Sequence, residues 1–355
     1  MFSAFQVGPS WADEVAMPNL DSSHLSTLVE GALGARRRAW LLRCCRIPEG
    51  LSSDGERVSR AELAMALAMV LFDDVCARVP LAAAYAQEAL QGGRQLVLDH
   101  GALRTVAAPS GALPVGREVV ERVLVPLGYA RRDVYPLDRI GMTGHAYGST
   151  DLAEGLPQYF VSELHPERFS PSFQAATLRV IGSSVDPLGP WALEALAQIQ
   201  REGALSVDDA RRLLPALASL FRRLHDAPSW EDYELLLAES PEMAWIATEG
   251  HAFNHATDRV EDVRAVAEEQ RALGRPIKDS VEVSRSGRVI QTAFRAGLVE
   301  RVFRGPKGEA ILRTVPGSFH EFITRRRLQD GRLDLAFDAS NAQGIFKMTS
   351  PRSAS

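Results

Sequence analysis

The sequence predicts an α+β fold, and three observations predict it. The first hundred residues carry mostly helical apolar spacing. Two stretches, from about 95 and from about 255, each read as strand, helix, strands. A helical segment over about 187–238 separates them. In order, Asp21-Ser22-Ser23 offers caps for a helix whose Leu25, Leu28, Val29 and Leu33 recur at three to four residues. Ser59-Arg60-Ala61-Glu62 reads as a capping box opening an Ala- and Leu-rich helix to Val79, and another helix runs from Leu81 to about Leu90. Strand-like runs follow at 95–100 and 103–106, with an amphipathic helix over 116–127 and strands over 129–137 and 158–164. Leu213, Leu217, Leu220 and Leu224 make the apolar stripe of the helical insert, with Pro215 set to kink or restart it. Ala244 to Ala252 leads to His255 and opens the second unit. A helix over 261–273 and strands over 280–284, 287–293, 299–303, 310–315 and 319–325 complete it. Gly305-Pro306-Lys307-Gly308 marks a hairpin turn. The two units match in element order only, without a residue-level repeat.

Composition bounds the function. A chain of 355 residues makes one large domain or two ordinary ones. Apolar residues at 46% and charged residues at 24% are a globular balance. A net charge of −5 offers no footprint for nucleic acid, and Arg36-Arg37-Arg38 and Arg325-Arg326-Arg327 are too short to serve as basic tails. No apolar run approaches the roughly 18 residues that span a bilayer. The start lacks a signal-peptide pattern. Cys44, Cys45 and Cys76 make no disulfide framework and fit a reducing, cytoplasmic compartment. The expected organisation is an N-terminal extension over 1–58, a main domain over 59–350 and a disordered tail over 351–355.

Three well-separated residues have ligand chemistry in pattern-rich contexts: His100, His255 and Glu321. Two histidines and one carboxylate, if they converge, form a facial triad with open metal positions, typical of non-haem Fe(II) enzymes that use O2. His100 sits where a strand would end, and an ordinary half-buried histidine would fit the same context. If the strand persists, Arg104 shares its face and is suited to clamp a substrate carboxylate by two hydrogen bonds. In Gly250-His251-Ala252-Phe253-Asn254-His255 the glycine and asparagine argue against a helix, so His255 is preferred over His251. Glu321 shares a strand face with Phe319 and so points inward, where a buried carboxylate needs a metal or a partner such as Arg325 or Arg326. His320 faces the other way. Glu163 is a further carboxylate in a strand, a candidate partner for a metal histidine or for substrate, or simply solvated. His145 and His165 lie in turn-like surroundings and read as surface residues. No phosphate-binding glycine loop and no C-x-x-C is present.

At these residues the chain resembles the 2-oxoadipate dioxygenase/decarboxylases, also called 2-hydroxyglutarate synthases, over roughly residues 60 to 350. The landmarks are Asp99-His100-Gly101-Ala102-Leu103-Arg104-Thr105, Phe160-Val161-Ser162-Glu163-Leu164 with Phe169-Ser170, Asn254-His255, and Phe319-His320-Glu321-Phe322 with Arg325-Arg326. The closing Gly344-Ile345-Phe346-Lys347-Met348-Thr349 is also similar. The resemblance implies a vicinal-oxygen-chelate-like fold, a curved β-sheet cup around a metal. It implies Fe(II) on His100, His255 and Glu321, and Arg104 on a substrate carboxylate; Glu163 and Arg325 are also expected in the substrate site. It implies oxidative decarboxylation of a 2-oxo acid with O2, 2-oxoadipate giving 2-hydroxyglutarate and CO2, in a family whose usual setting is lysine degradation. The chain departs from the family in Gly101, where a bulkier residue is expected, and in Ala256, where an aromatic is usual. The rival readings are a non-oxidative lyase, isomerase or hydrolase using Zn or Mn as a Lewis acid, and a binding protein without catalysis. The oligomeric state is left open.

Overall fold

The computed structural model describes residues 23–51 and 53–337. The expectations for residues 1–20, for Gly344–Thr349 and for the tail at 351–355 lie outside the described residues. The chain opens with α1 (His24–Leu33), α2 (Ala35–Cys44), the short strand β1 (Arg57–Ser59), α3 (Arg60–Arg78) and α4 (Pro80–Gln91). The capping box forms: the Ser59 hydroxyl accepts from Glu62 N, and the Glu62 carboxylate accepts from Ser59 N. The first strand unit is β2 (Leu98–Val106), α5 (Glu118–Leu124), β3 (Tyr129–Leu137), β4 (Met142–Ser149) and β5 (Gln158–Leu164). Then come α6 (Pro171–Ile181), α7 (Pro190–Glu202), β6 (Ala204–Ser206), α8 (Val207–Ser219), α9 (Trp230–Glu239) and α10 (Pro241–Glu249). The second unit is β7 (His255–Arg259), α11 (Val263–Ala272), β8 (Glu282–Val283), β9 (Val289–Ala293), the hairpin β10 (Leu298–Arg304) and β11 (Ala310–Pro316), and β12 (Phe319–Arg325).

Eight strands form one curled half-barrel sheet in the order β3-β4-β5-β2-β7-β12-β9-β8. The order contains a pseudo-twofold. In each half a first strand (β2 or β7) takes the unit's last strand (β5 or β12) as a parallel neighbour, and the two intervening strands lie outside it. The halves join where β2 and β7 pair antiparallel. The β10–β11 hairpin is a separate sheet inserted into the second half. The matched element order of the two units is thus a matched topology.

Helices close both sides. Phe72 of α3 and Tyr85 of α4 pack rings against His320, and Tyr85 against Phe322, on one face of β12. On the other face, α6, α9 and α10 bury Phe173, Leu236, Met243 and Trp245 with Leu137, Met142 and Leu164 of the sheet. The helices of 1–58 and those of the expected insert share one apolar cluster, with Leu25, Leu63, Leu213 and Leu217 all fully buried. Strands β1 and β6 pair antiparallel between them.

Three expectations are corrected. Residues 244–252 do not form a strand lead-in but mostly belong to helix α10, which starts at Pro241 with Ser240 capping Met243 N. Every residue from Glu242 to Glu249 is buried, so no amphipathic period marks the helix. The two runs at 95–100 and 103–106 are a single strand, β2, carried through Gly101. His145 is a buried residue of β4, not a surface one. Gly144 and Gly148 disguise that strand, and at Gly144 a Cβ would meet the Phe160 ring at 2.5 Å.

Candidate metal centre

Strand parity builds the site. Side chains alternate across a strand, and directly paired residues share a face. Register pairs Ala102 with His255 and His100 with Thr257 across β2–β7, and Phe319 with His255 and Glu321 with Thr257 across β7–β12. His100, Arg104, His255, Thr257 and Glu321 therefore stand on one face of three adjacent strands. The ligand atoms of His100, His255 and Glu321 all lie within 4.8 Å of one another. Glu321 Oε2 is 3.2 Å from His100 Nε2 and 3.4 Å from His255 Nε2. All three side chains are at most 4% exposed.

Each ligand is braced from behind. His100 Nδ1 donates to Asp99 Oδ1 at 2.9 Å, which fixes Nε2 as the nitrogen facing the centre. Asp99 in turn accepts from Arg325 through Nε and Nη2 at 2.9–3.0 Å. Asn254 Nδ2 lies 2.9 Å from His255 Nδ1 and braces the ring; the reversed amide, its oxygen accepting from Nδ1–H, is the orientation that would free Nε2 for a metal. The His255 ring stacks on Phe319 at 4.8 Å. Thr257 Oγ1 donates to Glu321 Oε2 at 2.8 Å.

The electrostatics suit a cation. Burial pushes the His255 imidazole down to about 3, only partly offset by Glu321, so it is neutral at physiological pH. Burial alone would raise the Glu321 carboxyl, but His255, His100 and Thr257 outweigh it and hold it down at about 2. Burial also lowers His100, yet hydrogen bonds to Asp99 and Glu321 leave it above its ordinary value. His255 Nε2 and Glu321 Oε1 are buried without a hydrogen-bond partner. Orphaned ligand atoms are costly unless something satisfies them. Two imidazole nitrogens and a carboxylate oxygen at this spacing fit a divalent transition metal such as iron. Phe160 explains why the set stops at three. The pseudo-twofold that relates β12 to β5 places it, paired with Ala102, where a second Glu321 would stand. An aromatic ring there supplies no ligand, so the first half of the sheet adds no counterpart to Glu321.

Arg104 is fully buried, its guanidinium 4.8 Å from the centre of the Trp245 ring. Burial pushes its pKa down to about 10, with Glu242 opposing, so it stays a cation at neutral pH. Two other expected site residues are engaged by other partners. Glu163 pairs in register with Thr105 and so lies on the opposite face, accepting from Arg117 N at 2.9 Å with His145 3.4 Å away. It touches neither the triad nor the space before it. Arg325 is on the site face, but Asp99 and the carbonyls of Asp334 and Ala336 occupy its fork. His320, as expected from parity, points away from the centre into an aromatic cage. His251 is not among the converging ligands.

Four contributors escaped the sequence reading. Asp99 sits beside His100, and Thr257 shares the face of His255 two residues on, so adjacency and parity would have found both. Trp245 and Phe337, whose ring meets His100 edge-on at 4.9 Å, carry no sequence signal.

Comparison with known proteins bears on this centre. A family model described as 2-oxoadipate dioxygenase/decarboxylase matches residues 61–347. No curated protein matches the chain. A solved structure from Ralstonia eutropha JMP134, described as a glyoxalase superfamily protein, is 54% identical with a TM-score of 0.86, covering 89% of this chain and 98% of that one. The hydroxyglutarate synthase of Oryza sativa, solved in complex with 2-oxoadipate, shares the fold with a TM-score of 0.63 at 19% identity, over 87% of this chain and 96% of that chain. The hydroxyglutarate synthase of Pseudomonas putida, also solved with 2-oxoadipate, gives 0.56 at 20% identity, over 83% and 74%.

Proposed function

The chain belongs to the 2-oxoadipate dioxygenase/decarboxylase family, and from that premise we propose that it is an Fe(II)-dependent oxidoreductase that uses O2 to decarboxylate a 2-oxo acid. The leading substrate is 2-oxoadipate, which with one O2 gives 2-hydroxyglutarate and one CO2. The observation that carries this reading is the buried set of His100, His255 and Glu321, on the same sheet face as Arg104. When bound there, Fe(II) would supply a centre able to chelate a 2-oxo carboxylate and to activate O2.

The protein's own part is geometry and charge. Arg104 would hold a substrate carboxylate in its planar fork, and the low-dielectric surroundings strengthen that pairing. Four residue steps along β2, roughly 13 Å, separate Arg104 from His100. A metal held on His100 would shorten that span to one that a short dicarboxylic acid could bridge to Arg104. Asp99 and Thr257 keep the lone pairs of His100 and Glu321 aimed at one point. Phe337, Phe160 and Tyr135 wall the space with aromatic rings and keep bulk water from a reactive intermediate. The three free, buried cysteines are in keeping with a reducing, cytoplasmic setting. Among the described residues no helix is long and apolar enough to cross a membrane.

The test is oxygen uptake by anaerobically Fe(II)-loaded protein offered 2-oxoadipate and a panel of other 2-oxo acids, with CO2 and product mass followed together. One O2 consumed per CO2 released supports the reading, and the best substrate names the acid. Bound metal with no uptake on any 2-oxo acid would replace it with non-oxidative metal chemistry.

A further inference from the structure

Beyond β12 the chain turns back, and residues 333–337 run over the site face. Leu333 N donates to Glu154 Oε1, and Asp334 N donates to Arg326 O of the segment just left. Leu335 O accepts from Gln158 of β5 at 3.2 Å, and Phe337 N donates to the Tyr135 hydroxyl of β3 at 3.0 Å. Going from β12 to β5 and β3 in this sheet order means passing over β7 and β2, the strands of both histidines. The segment is a strap across the mouth of the centre.

One side chain joins the strap to the metal ligands. Arg325 is fully buried between them. Its Nε and Nη2 edge grips Asp99, the acceptor that braces His100. Its Nη1 donates to Asp334 O at 3.0 Å and Ala336 O at 2.9 Å, and its guanidinium stands 5.2 Å from the centre of the Phe337 ring. We infer that Arg325 is a positioning residue that couples metal binding at His100 to closure of the 333–337 strap over the site. The guanidinium is a rigid plane, so its two edges move together. A metal that draws His100 into place draws Asp99 with it and seats the fork under both strap carbonyls. A strap that loosens frees the fork and, through Asp99, the imidazole. This inference rests on the metal-centre reading above and assigns Arg325 a task other than binding substrate.

Linkage makes the coupling reciprocal, which allows a test without turnover. Mn(II), stable in air, serves as the probe. Hydrogen exchange of the 334–337 amides is measured with and without Mn(II), and the Mn(II) dissociation constant is measured by titration calorimetry. In the wild type Mn(II) is expected to slow exchange at Asp334, Ala336 and Phe337 at least severalfold. Arg325→Lys keeps one positive charge but cannot hold Asp99 and two carbonyls at once. It is expected to weaken Mn(II) binding about tenfold or more, the range for lost outer-sphere partners, and to abolish the metal-dependent protection. Should that buried variant fail to fold, Arg288→Gln decides. Arg288 is half-exposed and holds the strap from outside through Asp334 Oδ2 at 2.7 Å. Arg288→Gln is expected to speed strap exchange and to weaken Mn(II) binding severalfold, although it touches no ligand. Mn(II) bound with no change in strap exchange, or a loosened strap in Arg288→Gln with wild-type Mn(II) affinity, overturns the coupling and leaves the metal centre standing. No Mn(II) binding by the wild type would overturn both.

Discussion

Gly101→Ala is the sharpest test of how the fold aims the second histidine. Gly101 lies in β2 beside His100. A Cβ there would stand 2.0 Å from Phe253 Cε2, 2.3 Å from Cζ and 2.7 Å from Cδ2. Carbon atoms rest at about 3.5 Å, so the ring edge has to retreat by roughly 1.5 Å. It has little room to do so. Phe253 is buried against Tyr159 and Phe221, and the neighbouring cavity of about 20 Å³ has space for about one water. The Phe253 carbonyl is also held, by Arg78 and by Ser318. Overpacking of this kind costs about 1–3 kcal/mol. Because Phe253 is two residues before His255, part of the strain falls on the ligand. Urea unfolding of metal-free protein should show the destabilisation, and Mn(II) titration should show weaker binding. Gly101→Ala with Phe253→Leu should recover much of both, since the two sites couple by contact. A single variant within about 0.5 kcal/mol of wild type, the range of neutral surface changes, or a double variant no better than the single, would refute the clash.

Three further outcomes are expected. Thr257→Val keeps shape but removes the donor to Glu321 Oε2; metal affinity should fall about tenfold, and an unchanged dissociation constant would discount Thr257. Arg104→Lys keeps the buried charge without the fork and should lower kcat/KM by at least tenfold, about 1.4 kcal/mol, chiefly through KM; full efficiency at low substrate concentration would remove Arg104 from the substrate site. His320 is fully buried and burial pushes it down to about 3, against about 6.5 unfolded. Below pH of about 6.5 the unfolded chain takes up a proton that the folded one refuses, so the stability this group lends is complete above that pH and is lost as pH falls towards 3. Between about pH 7.5 and pH 5 the loss should be about 2 kcal/mol larger in wild type than in His320→Leu, and equal losses in the two proteins would contradict it.

The sequence by itself indicated most of the elements and singled out, as candidate ligands, the three residues that converge. Period and capping are local, so the Ser59 capping box, β5 and β12 could be read without any partner strand. Parity within one strand placed Arg104 with His100 and turned His320 away from Glu321. Where the local signal was erased, the reading failed: α10 is buried on all sides and shows no amphipathic stripe, and β4 is punctuated by two glycines, one of which, Gly144, makes way for the Phe160 ring of another strand. Only the tertiary structure decided which strands lie side by side. Glu163 has the right chemistry and sits in a strand next to β2, yet a register that pairs it with Thr105 puts it on the wrong face. Arg325 lies on the right face, but a segment reaching back from beyond β12 fills its fork. The three ligands converge because β2, β7 and β12 are neighbours, and that adjacency comes from two units joined across more than 150 residues. Register and adjacency are set by packing between distant parts of the chain, and no local pattern encodes them.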